Sequence, residues 1–234
     1  MTRGVFVTGT DTGVGKTLVS ASLLAALNAD GSRAVGMKPV ASGCERTIEG
    51  LRNDDALALL AQSYDAPDYA LVNPFALPEP IAPHIAAREA GIEISLGPID
   101  AAFAALSTNI DCVVVEGVGG WNVPLSDTLM QSDLVRSLKV PVILVVGIRL
   151  GCINHALLSA RAIAGDGVEL LGWIGNYIDR HMLRVDENIA TLRERLSAPC
   201  LGILPFAADH DARRMGTHLS AAVTAISAAC RRAP

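Results

Sequence analysis

The sequence predicts an α/β fold, a doubly wound and mostly parallel sheet flanked by helices. Three observations carry that reading. Short β-branched runs alternate with helix-compatible segments along all 234 residues. These runs are apolar on both faces, as strands covered by helices on both sides must be. Half of the residues are hydrophobic but only 4% are aromatic, so the core is built from alanine and aliphatics, which suits helices packed on a sheet.

The first strand, Val5-Phe6-Val7-Thr8, begins close to Met1 and runs into the glycine-rich turn Gly9 to Gly15. Leu18 to Leu27 (LVSASLLAAL) follows as a strong helix former. Further strands are expected at Arg33–Lys38, Cys112–Glu116, Pro141–Gly147, Leu170–Asn176 and Leu201–Leu204. Helices are expected at Asp55–Gln62, Ile99–Leu106, Ser132–Leu138, Asn154–Ala164, Asp186–Leu196 and Gly216–Cys230. Such alternation implies right-handed strand–helix–strand crossovers. Between Ala66 and Pro98 the rhythm breaks at Pro67, Pro74, Pro78, Pro80, Pro83 and Pro98, which predicts loop with a short helix around His84–Ala90. No linker interrupts the chain, so one domain over residues 1–234 is expected.

The formal charge of −5 argues against nucleic acid as a partner. No apolar stretch approaches the length of a membrane span, and a strand starting at residue 5 leaves no room for a signal peptide, so a cytoplasmic protein is expected. Cys44, Cys112, Cys152, Cys200 and Cys230 are odd in number and scattered, which suggests neither a disulfide framework nor a zinc site. Cys112 and Cys200 flank apolar strands and are expected in the core.

The first turn carries the most chemistry. Gly9-Thr10-Asp11-Thr12-Gly13-Val14-Gly15-Lys16-Thr17 places backbone N–H groups and a helix N-terminus where phosphate oxygens can be cradled. In such a loop the lysine reaches the terminal phosphates and the threonine hydroxyl ligates Mg²⁺. The spelling is a variant, because the common pattern wants glycine at position 10, where Thr10 stands. Mg²⁺ needs a further hard oxygen ligand, and Glu116, ending a buried strand before Gly117, Gly119 and Gly120, is either that ligand or a solvated acid. Asp54 and Asp55 read as metal ligands or as ordinary acids at a helix start. Lys38 ends a strand of small and apolar residues before Pro39; it either faces the phosphates beside Lys16 or snorkels to solvent.

Together with that loop, Lys38-Pro39-Val40-Ala41-Ser42-Gly43, Val115-Glu116-Gly117-x-Gly119-Gly120, Pro141 to Val145, Gly151-Cys152-Ile153-Asn154-His155 and Gly172-Trp173-Ile174-x-Asn176 resemble the dethiobiotin synthetases over nearly the whole chain. The resemblance implies a P-loop-type fold and ATP- and Mg²⁺-dependent closure of 7,8-diaminononanoate with CO₂ to dethiobiotin, through a carbamate and a carbamic-phosphoric anhydride. It implies that Thr12, Gly13, Val14, Gly15, Lys16 and Thr17, with Gly117, Val118 and Gly119, hold the phosphates. Thr17, Asp55 and Glu116 hold the metal; Asp55 rather than Asp54 precedes Ala56-Leu57 as the family's acid does. Lys38 and Lys16 take catalytic roles, and Ser42 contacts the carbamate or diamine. Asn176 and Tyr177 with Pro205, Phe206 and Ala207 hold the adenine, while Gly151, Cys152, Ile153 and Asn154 receive the substrate carboxylate across a homodimer interface.

The chain departs from the family at Gly13, where some members carry an acid, at Tyr177, where others have Asp, and at Ala212, which is not acidic although Asp209 and Asp211 are near. These changes bear on the adenine contacts and leave the chemistry intact. The rival reading is a regulatory or partitioning ATPase with a K-G-G-x-G-K-[ST] loop, which Asp11-Thr12-Gly13 does not match.

Overall fold

The computed structural model describes residues 3–206 and 211–232. Along the chain run β1 (Gly4–Gly9), α1 (Lys16–Ala29), β2 (Ala34–Met37), β3 (Val40–Ala41), β4 (Glu45–Thr47), β5 (Gly50–Arg52), α2 (Asp54–Gln62), α3 (Tyr69–Val72), β6 (Phe75–Ala76), α4 (Pro83–Ala90), α5 (Leu96–Leu106), β7 (Cys112–Glu116), α6 (Gln131–Leu138), β8 (Val142–Ile148), α7 (Cys152–Gly165), β9 (Leu170–Tyr177), α8 (Val185–Arg195), β10 (Cys200–Leu204), α9 (Ala212–Gly216) and α10 (Ser220–Arg232). Among the described residues, six strands form one parallel sheet in the order β10-β9-β8-β1-β7-β2. The first strand thus lies inside the sheet, between β8 and β7, and the order reverses there. In an open parallel sheet that reversal splays the connections apart and opens a crevice at the carboxyl ends.

β1, β7 and β8 are buried along their whole lengths. Their side chains alternate between two apolar layers, as the two-residue period of a strand requires. Val5, Val7, Val114 and Ile143 pack with Leu23, Leu24 and Leu27 of α1 and with Ile226 of α10. Phe6, Val113, Val115 and Leu144 face the other way, into a layer with Phe103 of α5, Leu134 of α6 and Ile163 of α7. The doubly wound, mostly parallel sheet expected from the sequence is therefore the observed one, and every expected strand is found to within two residues at either end.

Two expectations need correction. The proline-rich span from 66 to 98 is not plain loop: it carries α3 and β6 as well as α4, and β6 pairs in parallel with β3 through Val40–Phe75 and Ala41–Ala76. Pro83 opens α4 at its first turn, where the missing N–H removes no helical bond. The last segment is not one helix from Gly216 but two, separated at residues 217–219; Gly216 closes α9 against α1, where a Cβ would come within 3.0 Å of Ser22 O. Cys112 is buried as expected, whereas Cys200 is only partly so. Among the described residues no helix is long and apolar enough to cross a membrane.

Candidate active site

The loop after β1 is set by two left-handed glycines, Gly13 (φ 73°) and Gly15 (φ 87°), the second being the N-cap of α1. A glycine cap offers no side-chain acceptor, so the first N–H groups of α1 are left for an anion. Gly15 is needed for space as well as for φ. A Cβ there would lie 2.1 Å from Asn176 Nδ2, which donates to Val14 O at 3.0 Å from the end of β9. Asp11 anchors the other side of the loop: it accepts from Thr12 N at 2.7 Å and pairs with Arg149, just past β8, at 2.7 Å.

Lys16 Nζ donates to Asp11 O at 3.0 Å. Burial first, and then the neighbouring Lys38 cation, bring its ammonium down to about 8 despite Glu116, Asp55 and Asp11. Lys38 Nζ donates to Glu116 Oε1 at 2.6 Å, to Asp55 Oδ2 at 2.9 Å and to Gly117 O at 3.2 Å. Lys38 is 3% exposed and Glu116 fully buried. Burial alone would pull the Lys38 ammonium down, but Glu116 and Asp55 outweigh it and hold Lys38 charged, above its ordinary value. The same contact works on Asp55, where burial pushes the carboxyl up and Lys38, with Thr17 and Lys16, more than reverses it.

Each member of this cluster has its own support. Asp55 lies in the first turn of α2, whose N-cap Asn53 accepts from Ala56 N at 3.2 Å and donates its own N–H to the Tyr69 hydroxyl at 2.8 Å. The Arg52 guanidinium covers the Tyr69 ring at 4.2 Å. The Lys38 backbone is held at both ends, with its N–H on Val72 O and its carbonyl accepting from Asn73 Nδ2, each at 2.7 Å. The proline-rich insertion thus fixes the strand end that carries Lys38.

Thr17 Oγ1 lies 2.7 Å from Asp55 Oδ1 and 3.0 Å from Glu116 Oε1. One hydroxyl proton can satisfy only one of these oxygens, and Glu116 Oε2 is buried with no hydrogen-bond partner among the described residues. Three hard oxygens converging beside an orphaned carboxylate oxygen fit Mg²⁺.

These groups border a cleft of about 860 Å³. Thr12, Gly13, Gly15, Lys16, Thr17, Lys38, Ser42, Asp55, Val118 and Gly119 line it, together with Ile81, Pro83, Val123 and Pro124. Ser42 Oγ is buried and unpartnered among the described residues. A larger cleft of about 930 Å³, beside Ala25, Gln62 and Thr224, holds none of the reactive groups, so chemistry rather than size locates the site.

The other predicted residues do not line this cleft. Val14 packs behind the loop, Glu116 and Gly117 lie beneath it, and Asn176 braces it. Tyr177 ends β9, while Pro205 and Phe206 follow β10 with the Arg180 guanidinium 5.6 Å from the Phe206 ring. Ala207 lies outside the described residues. Gly151, Cys152, Ile153 and Asn154 sit at the start of α7, after the carboxyl end of β8 and next to the exposed Leu150, and do not line the cleft. Sequence reasoning missed Asn53, although Asn before Asp54-Asp55 is a helix-start signal. It also missed Tyr69, Asn73 and Gln131, which carry no local signal of a role at the site.

A strand feeding a glycine-rich turn, with Lys16 and Thr17 opening the next helix and carboxylates from two further elements, defines a P-loop nucleotide-binding protein. A family model described as an AAA domain matches residues 3–214. Solved structures share the fold. The MinD cell division protein of Aquifex aeolicus superposes with a TM-score of 0.55 at 18% identity, covering 98% of this chain and 96% of that one. MinD of Pyrococcus horikoshii, solved with Mg-ADP, gives 0.55 at 14% identity, covering 98% and 95%. Much nearer in sequence is the ATP-dependent dethiobiotin synthetase BioD of Xanthomonas euvesicatoria, 61% identical over 207 residues, 88% of this chain and 92% of the relative. The Xylella fastidiosa protein of the same name is 58% identical over 200 residues, covering 86% and 88%. The chain belongs to the dethiobiotin synthetase family.

Proposed function

We propose that this protein closes the ureido ring of dethiobiotin in biotin biosynthesis, using ATP, Mg²⁺, CO₂ and 7,8-diaminononanoate. The observation that carries the reading is the buried Lys38 cation clamped between Glu116 and Asp55, facing the phosphate loop from the end of β2. Thr17, Asp55 and Glu116 hold Mg²⁺, which when bound neutralises charge on the phosphates. Lys16 and the loop backbone from Thr12 to Thr17, with Gly117, Val118 and Gly119, hold the phosphates in line. Lys38 lends a fixed positive charge to the phosphoryl group as it passes to a carbamate oxygen on the substrate. Ser42 supplies a buried hydroxyl, which makes it suited to position that carbamate. The apolar wall of Ile81, Pro83, Val123 and Pro124 suits a methylene chain and keeps water from the activated carbamate. Because both amines belong to one molecule, positioning supplies most of the rate of the final closure.

Asn176 and Tyr177 with Pro205, Phe206 and Ala207 take the adenine. Gly151, Cys152, Ile153 and Asn154 receive the substrate carboxylate in the cleft of a second copy. Three features support that reading: the left-handed Gly151 cap leaves the N–H groups of α7 without a side-chain acceptor, Leu150 beside it is 89% exposed, and the segment stands apart from its own chain's cleft. The working unit is then a cytoplasmic homodimer, each chain one domain, with substrate held between two copies. The test is ADP release with each component omitted in turn: it should require both the diamine and bicarbonate, and equal turnover without the diamine would overturn the reading.

A further inference from the structure

We propose that Gln131, the first residue of α6, is a positioning residue that sets the Glu116–Gly120 turn against the phosphate loop. The proposal rests on the reading of Thr17, Asp55 and Glu116 as the metal site. The turn holds three glycines in four residues, Gly117, Gly119 and Gly120, so its own backbone does little to restrict it. Gly117 is held by Val7 O and by Lys38 Nζ, and beyond it one side-chain amide restricts the turn. Gln131 is 1% exposed; its Oε1 accepts from Val118 N at 2.7 Å and its Nε2 donates to Gly120 O at 2.6 Å. The strut is itself fixed, because Gln131 N donates to Val123 O at 2.9 Å on the far limb of the same loop.

The fit is close enough to transmit position. A Cβ on Gly117 would lie 2.6 Å from Gln131 Oε1 and 2.7 Å from Phe6 Cζ, so the backbone is wedged between the amide and β1. Gly117 O accepts from Lys38 Nζ, and the adjacent Glu116 carries the carboxylate that meets Thr17 and Lys38. On the outer side, Cβ atoms built on Gly119 and Gly120 would come within 3.6 Å of Thr12 Oγ1 and 3.5 Å of Gly9 O, so the turn leans directly on the phosphate loop. Only a group that accepts at one end and donates at the other makes both bonds. Leucine makes neither, and an ionised glutamate makes only the first.

The experiment compares Gln131→Leu, Gln131→Glu and Glu116→Gln with the wild-type protein. It measures Mn²⁺ binding in the presence of ADP by electron paramagnetic resonance and hydrogen exchange at the Val118 amide. Gln131→Leu should bind Mn²⁺·ADP about tenfold more weakly, and its Val118 amide should lose a similar factor of protection, because the Val118 N–H and the Gly120 carbonyl both lose their partner. Diamine binding in the absence of nucleotide should stay as in wild type. Gln131→Glu supplies a pH signature that a purely structural role would not. The apolar Phe6, Pro39, Val40, Leu125 and Leu134, with Glu116 below and Asp133 on its own helix, favour the neutral carboxyl, while the Lys38 ammonium on Gly117 O and the Val118 N–H favour the anion. The neutral form makes both bonds and the anion only one, so affinity relative to wild type should be near unity at low pH and fall as pH rises.

Unchanged Mn²⁺·ADP affinity in Gln131→Leu, while Glu116→Gln weakens it, overturns the proposal alone. Unchanged affinity in both variants overturns the metal-site reading beneath it. Should Gln131→Leu fail to fold, the Gln131→Glu ratio decides: a pH-independent ratio overturns the proposal.

Discussion

Replacing Lys38 by methionine tests the centre of the site, because the structure makes it act on stability and on catalysis in separable ways. Lys38 Nζ is 2.6 Å from Glu116 Oε1, in a place where lysine is 3% exposed and the glutamate not at all. Methionine fills similar volume without the charge, so Glu116 is left buried beside an apolar group. Breaking a buried pair from one side costs about 3–5 kcal/mol. The cost should shrink as pH falls, because part of it is the lost contact between Lys38 and Asp55, whose lowered carboxyl contributes only above its folded value. Loss of a fixed cation from a transferring group lowers kcat by about 10²–10³-fold. Nucleotide affinity, carried by Lys16 and the loop backbone, should stay within about threefold, less than one hydrogen bond's worth. The assays are urea unfolding at two pH values, dethiobiotin formation, and ADP binding by calorimetry. Near-normal turnover would remove Lys38 from the catalytic machinery, and unchanged stability would refute the buried clamp on which the argument depends.

Other outcomes follow from the same geometry. The Lys16 ammonium stands at about 8 in the free site, so above that pH ADP binding must take up a proton and the Kd should rise; a Kd flat from about pH 7 to about pH 9 would contradict the desolvated position of Lys16. Gly15→Ala should raise the KM for ATP about tenfold or more, since it places a Cβ 2.1 Å from Asn176 Nδ2 at a φ of 87°. Adding Asn176→Ala should restore only part of the loss, because the clash goes and the backbone strain stays; full restoration would show that φ does not matter there. The Lys38–Asp55 pair gives stability opposite limits with pH. The raised Lys38 group contributes below its unfolded value of 10.5 and is lost as pH climbs through its folded value. The lowered Asp55 contributes above 3.8 and is lost as pH falls through its folded value. A stability plateau across neutral pH is the expected profile in urea titrations; in Asp55→Asn the plateau should be lower, its acid-side fall weaker and its alkaline edge moved to lower pH, because Lys38 loses a group that raises it.

The sheet was legible because its strands are buried on both faces and so appear as unbroken β-branched runs such as Val113-Val114-Val115. The P-loop was legible because backbone geometry and the close approach of Asn176 force glycine at position 15, and a forced residue leaves a mark in sequence. The supports of the site were not legible for the opposite reason. Asn73 holds the Lys38 carbonyl and Gln131 holds the Val118–Gly120 turn across sequence gaps of 35 residues and 11–13 residues. A polar residue at either place satisfies no local rule, and only the folded chain brings its partner near. The insertion from 66 to 98 was misread as loop for a related cause. Its prolines forbid long elements but not a four-residue helix and a two-residue strand that borrow their pairing from β3.

The partitioning ATPases share this sheet, yet the loop shows how one scaffold serves a different task. Where their K-G-G-x-G-K-[ST] pattern has its early lysine, this chain has Asp11, and the structure gives that acid three structural duties. It accepts from Thr12 N, pairs with Arg149 beyond β8, and offers its carbonyl to Lys16. A lysine there would lose the first two and set a third cation beside Lys16, whose ammonium burial and Lys38 already depress. A second cation, Lys38, lies instead at the end of β2, its backbone held by Asn73 and Val72 and its charge paired with Glu116 and Asp55. A cation fixed within the chain has no need of a partner protein to complete it. That suits the proposed ring closure, in which an activated carbamate must be held away from water until the second amine closes on it.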